Sequence, residues 1–151
     1  MLLRVRAIAI FTLAAIALTA CGGKKPVSAL DTEQSAFADL EAEVREIVVD
    51  PSRADDAVAL VEQFEQEFAV FRALVADQRA ETRALNANYD ATRAEFDEFL
   101  AANQERMVAA RERVTDAHLA LITATTPEEW DSLRKATSKA MGKLSESLRS
   151  Y

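Results

Sequence analysis

Apolar residues recur at three-and-four spacing over nearly the whole chain after residue 30, which is the period of amphipathic helices. The first such stripe comprises Phe37, Leu40, Val44, Ile47 and Val48. The last comprises Trp130, Leu133, Met141, Leu144 and Leu148. Asp31, with Gln34 in the answering position, has the spacing of a capping box at the start of the first stripe.

Two prolines mark the starts of later helices. Asp50 as N-cap and Pro51 at the first helical position open one helix, because a proline there gives up no helical hydrogen bond. Thr126 and Pro127 repeat this arrangement, and Glu129 completes a capping box. Helices are therefore expected to begin directly after both caps.

Residues 52–126 contain neither glycine nor proline. The stripe from Val61 to Phe99 keeps its three-and-four steps without a slip, which taken alone favours one long coiled-coil helix. Such a helix would run about 110 Å and leave Tyr89 and other large apolar side chains uncovered in a monomer. A hairpin turning near Asn86-Ala87-Asn88 avoids this exposure, because asparagine tolerates turn geometry.

We therefore predict an all-α fold, an antiparallel four-helix bundle built on a long, coiled-coil-like helical hairpin. The expected helices are at about 31–49, 52–85, 89–124 and 127–149. In this hairpin Phe64, Phe68 and Phe71 face the smaller residues of the other arm, and polar stripe positions cluster at the tip. The facing residues are Val114, Ala110, Met107 and Asn103, and the polar positions are Gln78, Thr82 and Thr92.

The first 20 residues have the pattern of an export signal. Arg4 and Arg6 give a positive start, and the uncharged run 7–18 comes directly after them. This run has 12 residues, which is too short to cross a bilayer, since a membrane-spanning helix needs about 20 apolar residues. We therefore expect the segment to be cleaved.

The tetrapeptide Leu18-Thr19-Ala20-Cys21 resembles the lipobox of bacterial lipoproteins, an aliphatic residue and two small residues before a cysteine. The resemblance implies that residues 1–20 are removed and that Cys21 is acylated, so that lipid anchors the chain to a membrane. Because residue 22 is Gly22 rather than the Asp that retains such proteins at the inner membrane, it also implies the periplasmic face of the outer membrane. An ordinary secreted protein, cut at an A-x-A-like site, is the alternative to a lipidated one.

Under the lipidated interpretation the chain has three parts. Residues 1–20 are the cleaved signal peptide, residues 21–30 form the lipidated N-terminus and a flexible tether, and residues 31–151 form the helical domain.

Cys21 is the only cysteine, so its acylation would leave no thiol in the mature chain. That excludes a disulfide, a thiolate nucleophile and a cysteine-ligated metal. The mature chain would carry 16 basic and 25 acidic side chains, a balance that disfavours nucleic acid as a partner. Residues 31–67 alone hold 12 acidic and 2 basic side chains.

Catalytic and cofactor chemistry has no support in these residues. His118 is the only histidine, and a lone imidazole cannot build a histidine-based metal site or activate a nucleophile unaided, so we interpret it as a structural or surface histidine. Thr115 stands where a di-iron bundle site would need Glu. Phosphate-binding glycine loops and a nucleophile elbow are missing. We predict no enzymatic activity and no cofactor beyond the covalent lipid.

Lys135, Lys139 and Lys143 recur every four residues along one face of the last helix. They either compensate the acidic first helix and the helix dipole, the interpretation we favour, or contact an anionic envelope partner.

These features predict a membrane-anchored periplasmic lipoprotein with a non-catalytic helical domain that binds another envelope component. The alternative is a chaperone-like or stress-buffering binder of unfolded periplasmic proteins, suggested by the aromatic-rich stripe. The oligomeric state stays open.

Overall fold

The computed structural model describes residues 28–150, and this part of the chain is built from four helices without a strand. They are α1 (Ala29–Ile47), α2 (Pro51–Ala87), α3 (Arg93–Ala124) and α4 (Pro127–Leu148). The predicted all-α, four-helix architecture is confirmed. The predicted signal peptide, Cys21 and most of the tether lie outside the described residues.

Side-chain caps begin all four helices, and the caps of α2 and α4 are as predicted. Asp50 accepts a hydrogen bond from the backbone N–H of Arg53 at 2.9 Å, and Thr126 forms a capping box with Glu129. The cap of α1 differs from the prediction, because Ser28 rather than Asp31 is the N-cap. Serine caps as well as aspartate does, and an earlier start lets the Asp31 carboxylate answer from the third helical position.

The turn between α2 and α3 confirms the predicted hairpin and excludes a continuous helix. Asn88 is the C-cap of α2, and its side-chain oxygen accepts a hydrogen bond from the Asp90 N–H at 3.1 Å. Thr92 accepts from the Glu95 N–H at 3.3 Å, and the Glu95 carboxylate accepts from the Thr92 N–H at 2.7 Å. This capping box starts α3 at Arg93, four residues after the predicted position 89.

Ion pairs between the helices define their directions. Arg45 pairs with Asp55 at 2.8 Å near the α1–α2 turn, and Glu33 pairs with Arg72 at 3.0 Å near the other end of α1. Helix α1 therefore runs antiparallel to the first half of α2. Ser147 near the end of α4 donates to Glu33 at 2.8 Å, so α4 is also antiparallel to α1.

The core lies where all four helices overlap. Its largest fully buried side chains are Phe37, Phe64, Leu40, Leu121, Leu133, Leu144, Val44 and Val61. Phe37 meets Phe64 edge-on, with the ring centroids 5.3 Å apart. The predicted stripe of α1 is confirmed, although α1 ends at Ile47 rather than at residue 49 and leaves Val49 88% exposed.

The stripe of α4 is correct except at Met141, which is 38% exposed. The inward positions of this helix are Leu133, Thr137, Ala140, Leu144 and Ser147. Three of these residues, Thr137, Ala140 and Ser147, are small and let α4 approach its neighbours closely. A pattern of large apolar residues does not include such positions.

Candidate functional site

The α2–α3 hairpin is longer than α1 and α4 and extends past them. Because Glu33 pairs with Arg72 in an antiparallel arrangement, Ala29 at the start of α1 lies level with about residue 76 of α2. Phe68 and Asn103 are buried, but no residue from 69 to 102 is. We call residues 76–104 the hairpin extension, since there α2 and α3 pack on each other beyond the start of α1, and Arg79 contacts the end of α4.

A groove of about 480 Å³ lies along the seam of the two helices at the root of this extension. Its lining, which we call the hairpin groove, comprises Phe71, Gln78, Leu100, Gln104, Met107, Val108 and Arg111. Leu100 is 55% exposed and Val108 is 39% exposed, so apolar surface is open to solvent there. Phe71 and Met107, predicted to face each other across the hairpin, both line it.

A second cleft of about 430 Å³ lies nearer the turn. Leu85 and Phe99 supply its apolar surface, and Glu95 also lines it. Hydrogen bonds from the Thr92 N–H and hydroxyl lower the pKa of Glu95, because they favour the charged carboxylate. The cap that starts α3 therefore also holds a carboxylate ionised beside this cleft.

A polar cluster ties the root of the extension to the rest of the bundle. Glu33 is buried and accepts from both Arg72 and Ser147. Two helical turns further along α2, Arg79 donates to the Leu148 carbonyl oxygen at the end of α4 at 3.0 Å. These contacts fix the hairpin groove relative to α1 and α4. Glu33 is absent from the predicted functional residues, although its place four residues before Phe37, in phase with the buried stripe, is a signal that could have found it.

The three lysines of α4 lie on one face of that helix, but their surroundings differ. Lys143 donates to Asp39 at 2.9 Å and to Ser35 at 3.2 Å, and Lys139 lies 3.6 Å from Asp39. The hydrogen bond and charge of Lys143 are the main causes that lower the pKa of Asp39. Lys135 makes no ion pair with any residue that the structure describes.

His118 packs into the aromatic core. Its ring stacks on Phe64 at 5.7 Å and lies 6.0 Å from Trp130. Its buried Nε2 has no hydrogen-bond partner within the described chain, and burial lowers the pKa of the imidazole because the charged form loses its hydration. A neutral ring enclosed by two aromatic side chains acts as packing.

Between residues 28 and 150 no group of His, Asp and Glu side chains has the arrangement of a metal site. No helix of the described chain is long and apolar enough to span a membrane. What these residues present is an open apolar groove bordered by polar side chains, a geometry suited to binding a helix or an extended chain.

Comparison with known proteins gives no relative for this chain: no family model matches it, and no curated protein or solved structure does so at a significant level.

Proposed function

We propose that this protein is a lipid-anchored component of the bacterial cell envelope whose hairpin groove binds another envelope protein without catalysis. The lipobox resemblance at Leu18-Thr19-Ala20-Cys21 supports the anchor and an address on the periplasmic face of the outer membrane. The observation that carries the binding role is the open groove, where Leu100 and Val108 present apolar surface beyond the four-helix core.

The chemistry of the groove favours an amphipathic helix as the bound element. Phe71, Leu100 and Met107 supply an apolar lining, and Gln104 and Arg111 place polar groups beside it. Helix-in-groove recognition combines these features, because apolar anchors fill the groove while polar residues on the helix meet its borders. The expected partner is thus a membrane-associated envelope protein that presents such a helix.

The chain offers a matched pair of variants to test the groove. Leu100→Glu places a charge at the groove, and Leu119→Glu places the same charge on the same helix at a similarly exposed position, 51% against 55%. Tagged protein is crosslinked in cells and purified from membranes, and the co-purifying proteins are identified by mass spectrometry. We expect one reproducible partner with wild type and Leu119→Glu, and its loss with Leu100→Glu.

The anchor is tested in the same cells with Cys21→Ser, which should release the protein from membranes and weaken capture of the partner. Equal capture by Leu100→Glu and Leu119→Glu would contradict a binding role for the groove. Retention of Cys21→Ser in the membrane would contradict the lipid anchor.

A chaperone-like binder of unfolded periplasmic proteins is the second candidate. It is favoured by the run from residue 69 to residue 102 without a fully buried side chain, which leaves apolar surface open along the hairpin. Purified domain would then suppress aggregation of several unrelated unfolded proteins, and Leu100→Glu would reduce that effect. A domain that binds no hydrophobic dye and suppresses no aggregation would remove this candidate.

A further inference from the structure

The start of α1 and the turn of the hairpin lie at the same end of the molecule. Helix α1 is antiparallel to α2, with Arg45 beside Asp55 and Glu33 beside Arg72. Its first residue therefore lies at the end from which the hairpin extension leaves. The chain that leads back to Cys21 joins the domain at this end.

The reach of that chain is comparable with the length of the extension. From the level of residue 76 to Ala87, at the end of α2, the extension rises by about 16 Å at 1.5 Å per residue. The seven residues from Cys21 to Ser28 can span at most about 25 Å, even when fully extended. A lipid surface that holds Cys21 lies within this distance of α1, and so does the turn of the hairpin.

The turn itself presents a side chain suited to a lipid surface. Tyr89 is fully exposed, at 102%, in the turn between α2 and α3. An aromatic ring with a hydroxyl group is favoured at the boundary between hydrocarbon and water, because its apolar body and polar tip are both accommodated. Tyr89 is the most exposed large apolar side chain in the part of the molecule that the structure describes.

The charge of the two ends of the domain also favours contact between the hairpin turn and a lipid surface. Residues 81–96, around the hairpin turn, hold three acidic and two basic side chains, so this turn is close to neutral. The opposite turn is strongly acidic, since residues 41–56 hold six acidic and two basic side chains. Anionic headgroups therefore repel the α1–α2 turn more strongly than the hairpin turn.

We infer that the hairpin turn, with Tyr89 at its apex, contacts the headgroup region of the same lipid surface that holds Cys21. This inference rests on the proposed acylation of Cys21. The domain then contacts the membrane through both the lipidated tether and the hairpin turn, and its acidic α1–α2 turn faces away from the membrane. The hairpin groove is held close to the lipid surface, within reach of a partner that is itself bound to the membrane.

Tryptophan fluorescence in lipid vesicles tests this orientation with two matched positions. Tyr89→Trp and Val49→Trp each place an indole in an exposed turn, one at either end of the domain. Each variant is made as full-length lipidated protein and reconstituted in vesicles of phosphatidylethanolamine and phosphatidylglycerol, with or without brominated acyl chains. Unsubstituted protein measured in parallel gives the emission of Trp130, which is subtracted.

We expect the indole introduced by Tyr89→Trp to emit at shorter wavelength in vesicles and to lose intensity severalfold when brominated lipid is present. The emission from the Val49→Trp variant should change little. A long Gly-Ser insertion between Lys25 and Pro26 should restore most of the Tyr89→Trp emission, because the tether would no longer hold the turn at the surface.

Equal emission changes at the two positions, or none at position 89, would overturn the inference even where the protein floats with the vesicles and carries the mass of an acyl group. If the wild-type chain lacks the mass of an acyl group and, like Cys21→Ser, does not float with the vesicles, the proposed anchor and this inference are both overturned. Floating and intact mass thus separate failure of the orientation from failure of the anchor.

Discussion

Glu33 near the start of α1 and Arg72 in the middle of α2 form a largely buried ion pair, with 3.0 Å between carboxylate oxygen and guanidinium nitrogen. Ser147 of α4 donates to the same carboxylate at 2.8 Å. This one acidic side chain therefore connects three helices at the level where the hairpin extension begins. It sets how far α1 covers the hairpin, and thereby where the tether enters and where the groove stays open.

We expect Glu33→Ala to lower the free energy of unfolding by about 2 kcal/mol, because it removes a buried carboxylate that pairs with Arg72 and accepts a hydrogen bond from Ser147. Urea denaturation followed by circular dichroism measures the change. Glu43→Ala, on the exposed side of the same helix, is the control and should change stability little. Similar losses in both variants would contradict the role given to Glu33.

His118 should make the stability of the domain depend on pH near neutrality. Burial lowers the pKa of the folded imidazole below its ordinary 6.5, so the unfolded chain binds the proton more readily. The free energy of unfolding should therefore fall as the pH drops through and below about 6.5, and should level off above it.

His118→Phe should remove this dependence and raise stability at low pH by about 1 kcal/mol, because it also eliminates the unpaired Nε2 while keeping the aromatic contacts with Phe64 and Trp130. Thermal melts of both proteins between about pH 5 and pH 8 provide the comparison, since the difference between the two cancels most effects of the carboxylates. Parallel curves would show that His118 does not titrate in this range.

Glu65 should oppose folding at neutral pH. Its pKa is raised by burial and, secondarily, by the charges of Glu41, Glu62 and Glu33. A carboxyl whose pKa is raised in the folded state costs stability above that pKa, and the cost disappears below the unfolded value of about 4.5. Glu65→Gln should thus stabilise the domain by about a few tenths of a kcal/mol at neutral pH, since the site is partly exposed to solvent.

Melting temperatures at about pH 7 and about pH 4 check the Glu65→Gln prediction, with Glu105→Gln on α3 as the exposed control. The stabilisation should be present at neutral pH only, and a gain that persists in acid would contradict its electrostatic origin.

Charge reversal of the α4 lysines should affect stability according to the contacts that each lysine makes. Lys143→Glu removes the hydrogen bond to Asp39 and places two carboxylates together, so it should lower the midpoint of denaturation. Lys135→Glu should leave stability within about 0.5 kcal/mol of wild type, because this side chain has no ion pair among the described residues.

Retention on isolated cell wall tests whether the lysine face binds an anionic partner. If Lys135→Glu reduces retention without changing stability, the lysine face contacts such a partner. Unchanged retention after reversal of all three lysines would remove that role.

The helices are predictable where strong local signals mark their ends. Asp50 with Pro51 and Thr126 with Pro127 give caps that depend on a few neighbouring residues only, and both starts are correct. The start of α3 carries the same type of signal in Thr92 and its capping-box partner. The predicted start at 89 is wrong because Thr92 is also in phase with the apolar stripe, and a stripe continued through this residue hides the beginning of the helix.

The groove could not be predicted from the stripe, because its existence depends on how far α1 and α4 reach along the hairpin. That reach follows from the pairing of Glu33 with Arg72, a contact between residues far apart in the chain. Helical period predicts that Leu100 and Val108 lie on an amphipathic helix. It does not predict that no third helix covers them.

A photocrosslinking amino acid placed at position 100 or at position 119 tests most directly whether the hairpin groove is a binding site. Each variant is produced as the full chain with Cys21 intact and irradiated in cells. We predict a discrete crosslinked species from position 100, none from position 119, and its loss when Cys21→Ser is combined with the probe at position 100. Crosslinks of equal yield from both positions, or a crosslink that is unaffected by Cys21→Ser, would contradict a membrane-anchored protein that binds its partner in the hairpin groove.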